Sequence, residues 1–166
     1  IQDTSRIGME GCWACRVRCK KVVKVDDPYQ VDPKYGGPEY ETLGALGSNC
    51  GIDDLKAIAY ANQICNAAGM DSISAGATIA FAMACFERGL LTKEDTGGIE
   101  LRFGDVHGML KLLQMMARRE GSGNLLAAGS DRAAKQLGRG AAEQAMQVRG
   151  GEPGWRGPGR HGGRGS

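Results

Sequence analysis

The sequence carries almost no net charge. Its formal charge at neutral pH is +2 over 166 residues. That is too near neutral for a protein that holds nucleic acid through its electrostatic field. No apolar run approaches the roughly 20 residues of a membrane-spanning helix, so no membrane partner is expected. No secretory signal opens the chain, and a chain this long does not require disulfide staples, so the six cysteines are not expected to form three bridges. A reducing, cytoplasmic setting is the expectation. Histidine is nearly missing: His107 and His161 are the only two, and each reads as exposed surface. The first residue is Ile1 rather than Met, and the chain reads as a piece of a longer protein. With 42% hydrophobic and 24% charged residues, it is long enough to bury one ordinary core.

What is present is concentrated in Gly11-Cys12-Trp13-Ala14-Cys15-Arg16-Val17-Arg18-Cys19-Lys20-Lys21. Three of the six cysteines fall within eight residues, spaced Cys-x2-Cys-x3-Cys. On a helix these positions share one face; in a tight turn the three sulfurs can still converge. Converging thiolates bind a soft metal, and an iron–sulfur cluster takes four such ligands. Arg16, Arg18, Lys20 and Lys21 add positive charge, which favours thiolates and offsets the charge of a cluster. Zinc also accepts four thiolates, so the spacing leaves the metal open.

Along the chain, 21–25 is β-branched and reads as a short strand, broken by Asp26-Asp27-Pro28. Residues 26–51 hold three prolines and several glycines, which predicts an ordered connection in place of a long helix. Helices follow. Asp53 or Asp54 caps one carrying Leu55, Ile58, Ala59 and Cys65, and Gly69 ends it. Asp71, Ser72 or Ser74 caps the next, with Ala75, Ile79, Met83 and Phe86 on one stripe. Residues 99–103 are a short alternating run. Asp105 starts a helix with Val106, Met109, Leu110, Leu113 and Met116 facing the core. Leu125-Leu126 and Ala133-Ala134-Leu137 suggest two further short helices. The fold class is therefore all-α, mainly helical, with one or two short strands near the N-terminus. We expect a helical domain over 1–148 and a Gly/Arg-rich disordered tail over 149–166. An arginine-glycine tail can bind RNA loosely, but one short block with a single aromatic, Trp155, reads as a disordered end.

Several segments carry a resemblance. They are Gly11-Cys12-x-Ala14-Cys15-x-Val17-Arg18-Cys19-Lys20-Lys21, Lys34-Tyr35-Gly36-Gly37-Pro38-Glu39-Tyr40-Glu41-Thr42 and Gly44-Ala45-Leu46-Gly47-Ser48-Asn49-Cys50. Asn66-Ala67-Ala68-Gly69-Met70-Asp71-Ser72-Ile73-Ser74, Phe86-Glu87-Arg88-Gly89-Leu90-Leu91-Thr92 and Glu100-Leu101-Arg102-Phe103-Gly104 follow in order. Together they resemble the central helical part of tungsten-containing aldehyde ferredoxin oxidoreductases over about residues 7–153.

The resemblance implies a tungsten (or molybdenum) bis-pyranopterin beside a 4Fe–4S cluster. It implies oxidation of a small aldehyde to a carboxylic acid, with ferredoxin as the electron partner. Cys12, Cys15 and Cys19 match three of the four cluster ligands; the fourth belongs to a later segment. Cys50, Cys65 and Cys85 are read as structural thiols. Residues 66–71 match the family's pterin-binding pattern Asp-x-x-Gly-Leu-Asp, with Asn66 for the first Asp and Met70 for the Leu, so Asn66, Met70 and Asp71 are the candidate cofactor contacts. Glu41 matches the active-site glutamate that takes a proton as water adds to the aldehyde carbon. In a closed apolar pocket its carboxyl would be pushed up toward the working range; Glu39 is its neighbour and alternative.

Two departures stand out. Gln147 occupies a position where the family often has a His, and it cannot act as an acid or base. After Glu152-Pro153 the likeness stops, and the family's first domain, which covers one face of the pterin, is expected to lie outside this chain. Family dimers sometimes share an iron; no convincing ligand pair for one is found, and homo-oligomerisation of the parent stays open. The alternative reading is a non-catalytic interaction module with zinc on Cys12, Cys15, Cys19 and Cys50.

Overall fold

The structure, a computed structural model, describes residues 5–138 and 140–150, with the backbone alone over 146–150. The described residues form seven α-helices and one two-stranded sheet. The mainly helical class expected from the sequence is what the chain adopts.

The chain opens with a hairpin. Strand β1 (Arg6–Glu10) pairs antiparallel with β2 (Lys20–Val23), Glu10 facing Lys20 and Met9 facing Lys21. The strand expected over 21–25 is thus present, but starts one residue earlier and ends two earlier; Val25 forms only an isolated bridge with Val31. Val23, Val25, Val31 and Ala59 make a small core, with Tyr29 and Tyr60 stacked over it at 5.3 Å between ring centres. On the other side of β2 lies Gly36-Gly37. The Gly37 amide donates to Lys21 O at 2.8 Å. A Cβ at Gly37 would lie 2.6 Å from Val23 Cγ2, and Gly36 has φ +69°. Both positions need glycine.

After a 3₁₀ turn (Pro33–Tyr35) comes α1 (Tyr40–Leu46). This helix was not expected. Pro38 just before its start, Gly44 within it and Gly47 after it look like breakers, yet a seven-residue helix forms between Pro38 and Gly47. Asp54 begins α2 (Leu55–Ala68) by accepting from the Lys56 and Ala57 amides, and Gly69 ends it in the left-handed conformation. Asp71 caps α3 (Ser72–Glu87). Ten of the 16 residues of α3 are buried, so it is the axis of the domain. Helices α1, α2, α4 (Val106–Arg118), α6 (Ser130–Leu137) and α7 (Ala141–Gly150) pack around it, and α5 (Ser122–Leu126) lies against α4.

The methionine-bearing face of α4 is core: Met109, Leu110, Leu113 and Met116 are buried. Residues 99–103 keep their alternation. Ile99 and Leu101 are buried and alternate with outward Glu100 and Arg102, but the run pairs with no strand. Among the described residues no single helix is long and apolar enough to cross a membrane. His107 is exposed on α4. Residues 151–166, with Trp155 and His161, and the side chain of Gln147 lie outside the described residues.

Candidate metal and cofactor site

Residues 11–19 are the loop of the β1–β2 hairpin. They are not helical. Ala14 and Arg18 take φ +57° and +51°, and left-handed residues interrupt a right-handed helix. The Cys15 amide donates to Cys12 O at 3.0 Å, closing a turn. Cys12, Cys15 and Cys19 are all exposed, and Trp13 and Val17 between them are 99% and 78% exposed. Among the described residues no three His, Cys, Asp or Glu side chains are gathered closely enough to hold a metal ion. The donor set therefore suits a soft metal, while the loop does not draw its three sulfurs together. Exposed as they are, these thiols are not held apart by core burial among the described residues.

The other three cysteines are fully buried. The Cys50 thiol donates to Ala45 O at 3.4 Å and Gly76 O at 3.7 Å. Burial pushes it up to about 12. Burial, aided by the Asp71 charge, takes Cys65 to about 12, and burial takes Cys85 to about 11 against the opposing pull of Arg88. Such thiols stay protonated and structural. This corrects the zinc alternative: Cys50 is committed to the core and does not join the exposed loop.

The hairpin leads directly to Glu41. Lys21 Nζ lies 3.5 Å from the Glu39 carboxylate, and Lys20 Nζ 3.8 Å from that of Glu10. Glu39 is the N-cap position of α1, and Glu41 is exposed in its first turn. In the described residues Glu41 thus faces solvent and not a closed apolar pocket.

The third part is the α2–α3 turn. Asn66, in the last turn of α2, donates from Nδ2 to Tyr35 O at 3.0 Å. This bond leaves the carbonyl end of the amide for a ligand N–H. The Met70 amide donates to Cys65 O at 2.9 Å, and its half-buried side chain rests on the main core. Asp71 accepts from the Ile73 amide at 3.0 Å and from the Ser74 hydroxyl at 2.6 Å. Asn66 and Asp71 are exposed and belong to one turn.

Sequence reasoning missed two features here. Thr42, beside Glu41, shares a 2.8 Å hydrogen bond with Ser72, beside Asp71. No local signal marks that pair, because it spans 30 residues. Asn62, one helical turn before Asn66 and so on the same face, is buried with its Nδ2 unpartnered among the described residues. A buried donor without a partner is costly.

Fold and site define a mainly helical domain that presents a three-thiol loop, a first-turn carboxylate and a polar interhelical turn. The family model "Aldehyde ferredoxin oxidoreductase, domains 2 & 3" matches residues 1–162. The chain is 40% identical over 129 residues to a tungsten-containing aldehyde ferredoxin oxidoreductase of Pyrococcus horikoshii, covering 76% of this chain and 21% of that protein. Against a Pyrococcus furiosus protein named as the WOR-like subunit of an aliphatic sulfonate oxidoreductase, identity is 34% over 141 residues, 82% of this chain and 22% of the relative. Among solved structures it resembles the active-site complex BamBC of benzoyl coenzyme A reductase with 1,5-dienoyl-CoA. The TM-score is 0.72 at 26% identity, over 86% of this chain and 21% of that one. The chain belongs to the aldehyde ferredoxin oxidoreductase family. It spans about a fifth of the length of the curated relatives it matches.

Proposed function

We propose that this chain is the cluster-bearing, cofactor-facing part of an enzyme that oxidises aldehydes to carboxylic acids and delivers electrons to ferredoxin. Cys12, Cys15 and Cys19 are three of the four thiolates that hold a 4Fe–4S cluster. Asn66, Met70 and Asp71 contact a pyranopterin, Asn66 by accepting a ligand N–H and Met70 through its backbone. When bound, the tungsten (or molybdenum) bis-pyranopterin supplies a two-electron acceptor and the cluster a one-electron relay. Glu41 takes the proton released as water oxygen adds to the aldehyde carbon. Arg16 and Arg18 give the cysteine loop a positive face for an acidic ferredoxin, while Lys20 and Lys21 share their charge with Glu10 and Glu39.

One observation carries the reading. The three parts of the site are joined by direct bonds: the loop's strand β2 to the Gly37 amide and to Glu39, and Thr42 beside Glu41 to Ser72 beside Asp71. The test is element analysis of the anaerobically purified holoenzyme. About four irons with sulfide, lost together in Cys12→Ser or Cys19→Ser, is the expected result. Zinc in place of iron refutes the cluster assignment.

A further inference from the structure

Helix α1 is too short to hold its own shape or place. Seven residues fall well below the length at which a helix is stable in water. Its N-cap residue, Glu39, makes no side-chain cap bond, and Tyr40 and Glu41 project into solvent. The position of Glu41 is therefore set by whatever holds the other face of α1.

That face packs chiefly on α3, through three ties. Thr42, 5% exposed, shares the 2.8 Å hydroxyl bond with Ser72. One turn further on, Ala45 sits directly on Gly76: a Cβ there would lie 2.6–2.7 Å from the Ala45 carbonyl carbon, Cβ and oxygen. The Cys50 thiol then bridges the carbonyls of Ala45 and Gly76. The first tie falls one residue from Glu41 and one residue from Asp71. Backbone contact at Ala45–Gly76 fixes the separation of the two helices. It does not prevent α1 from sliding or rotating along α3. The hydroxyl pair does, because a hydrogen bond tolerates only a few tenths of an ångström and a limited angle.

We propose that Thr42 and Ser72 are positioning residues, whose shared hydrogen bond sets Glu41 at a defined place relative to the cofactor-facing turn of Asn66, Met70 and Asp71. This rests on the function proposed above. It adds that the proton-accepting carboxylate and the cofactor turn are held in register by one side-chain pair.

The experiment uses the holoenzyme that contains this chain. Thr42→Val keeps the shape and removes the hydroxyl. It should lower kcat about tenfold, in line with the effect of small misplacements of a catalytic group, with KM changed less than about twofold and with iron and tungsten content unchanged. Hydrogen exchange over residues 39–46 should quicken, because the Leu43 amide bonded to Glu39 O at 3.0 Å loses its anchor. Ser72→Ala should give the same loss, the double variant no more than either single one, and Thr42→Ser should restore kcat. Unchanged kcat and exchange in Thr42→Val would overturn the proposal. So would loss of tungsten, since the pair would then hold the cofactor itself. Glu41→Gln separates the two levels: if that variant keeps full kcat, the role of Glu41 fails; if it is crippled while Thr42→Val is normal, only the positioning role fails.

Discussion

Substitution of Gly76 by Ala tests how closely α1 and α3 approach. A methyl at this site would meet the Ala45 carbonyl carbon, Cβ and oxygen at 2.6–2.7 Å, well inside van der Waals contact. The obstacle is backbone, so no rotamer change relieves it and α1 must retreat. Overpacking of this kind costs about 1–3 kcal/mol, here toward the upper end. Retreat also stretches the Thr42–Ser72 bond, worth about 1 kcal/mol. Against this, alanine in mid-helix gains about 1 kcal/mol over glycine. The net loss is about 2–3 kcal/mol, which lowers the melting temperature by roughly 4–12 °C for a chain of this size. Gly44 on α1 supplies the control: a Cβ there meets nothing within 4 Å, so Gly44→Ala should stabilise by about 0.5–1 kcal/mol. The assay is thermal unfolding followed by far-ultraviolet circular dichroism. An unchanged or raised melting temperature for Gly76→Ala would refute the packing argument, because helix propensity alone would then decide both sites.

Two other outcomes follow from the cysteines and the caps. Brief alkylation of the metal-free native chain near pH 8 should label Cys12, Cys15 and Cys19 and spare Cys50, Cys65 and Cys85, which are fully buried and whose thiols burial holds at about 11 to 12, protonated at that pH; peptide mapping that finds Cys50 labelled as fast as Cys12 would contradict the assigned core. Asp54→Ala removes an acceptor serving two amides, Lys56 N at 2.9 Å and Ala57 N at 3.0 Å, and should cost about 1–2 kcal/mol in denaturant unfolding, with no loss meaning that the cap is idle.

Much of the helical order was legible in the chain itself. Asp54 and Asp71 cap helices and Gly69 ends one, because capping bonds reach only two or three residues and leave a local trace; Asp105 stands at the start of α4 without a side-chain cap bond. The apolar period of α4 foretold its buried face for the same reason. Helix α1 was hidden, since Pro38, Gly44 and Gly47 read as breakers and a seven-residue helix lives on what it packs against. At 99–103 the alternation is visible in the chain and Ile99 and Leu101 are buried, yet a strand also needs a partner, and none pairs there among the described residues.

The site divides in the same way. Cys12, Cys15 and Cys19 were conspicuous by spacing, and 66–71 by pattern. The tertiary structure alone decided that the thiols sit on an exposed hairpin loop while Cys50 is spent on two core carbonyls. It alone brought Lys21 to Glu39, Gly37 to β2 and Thr42 to Ser72. These contacts join segments far apart along the chain. Their strength comes from burial and distance in three dimensions, and neither quantity is written into the order of residues on either side.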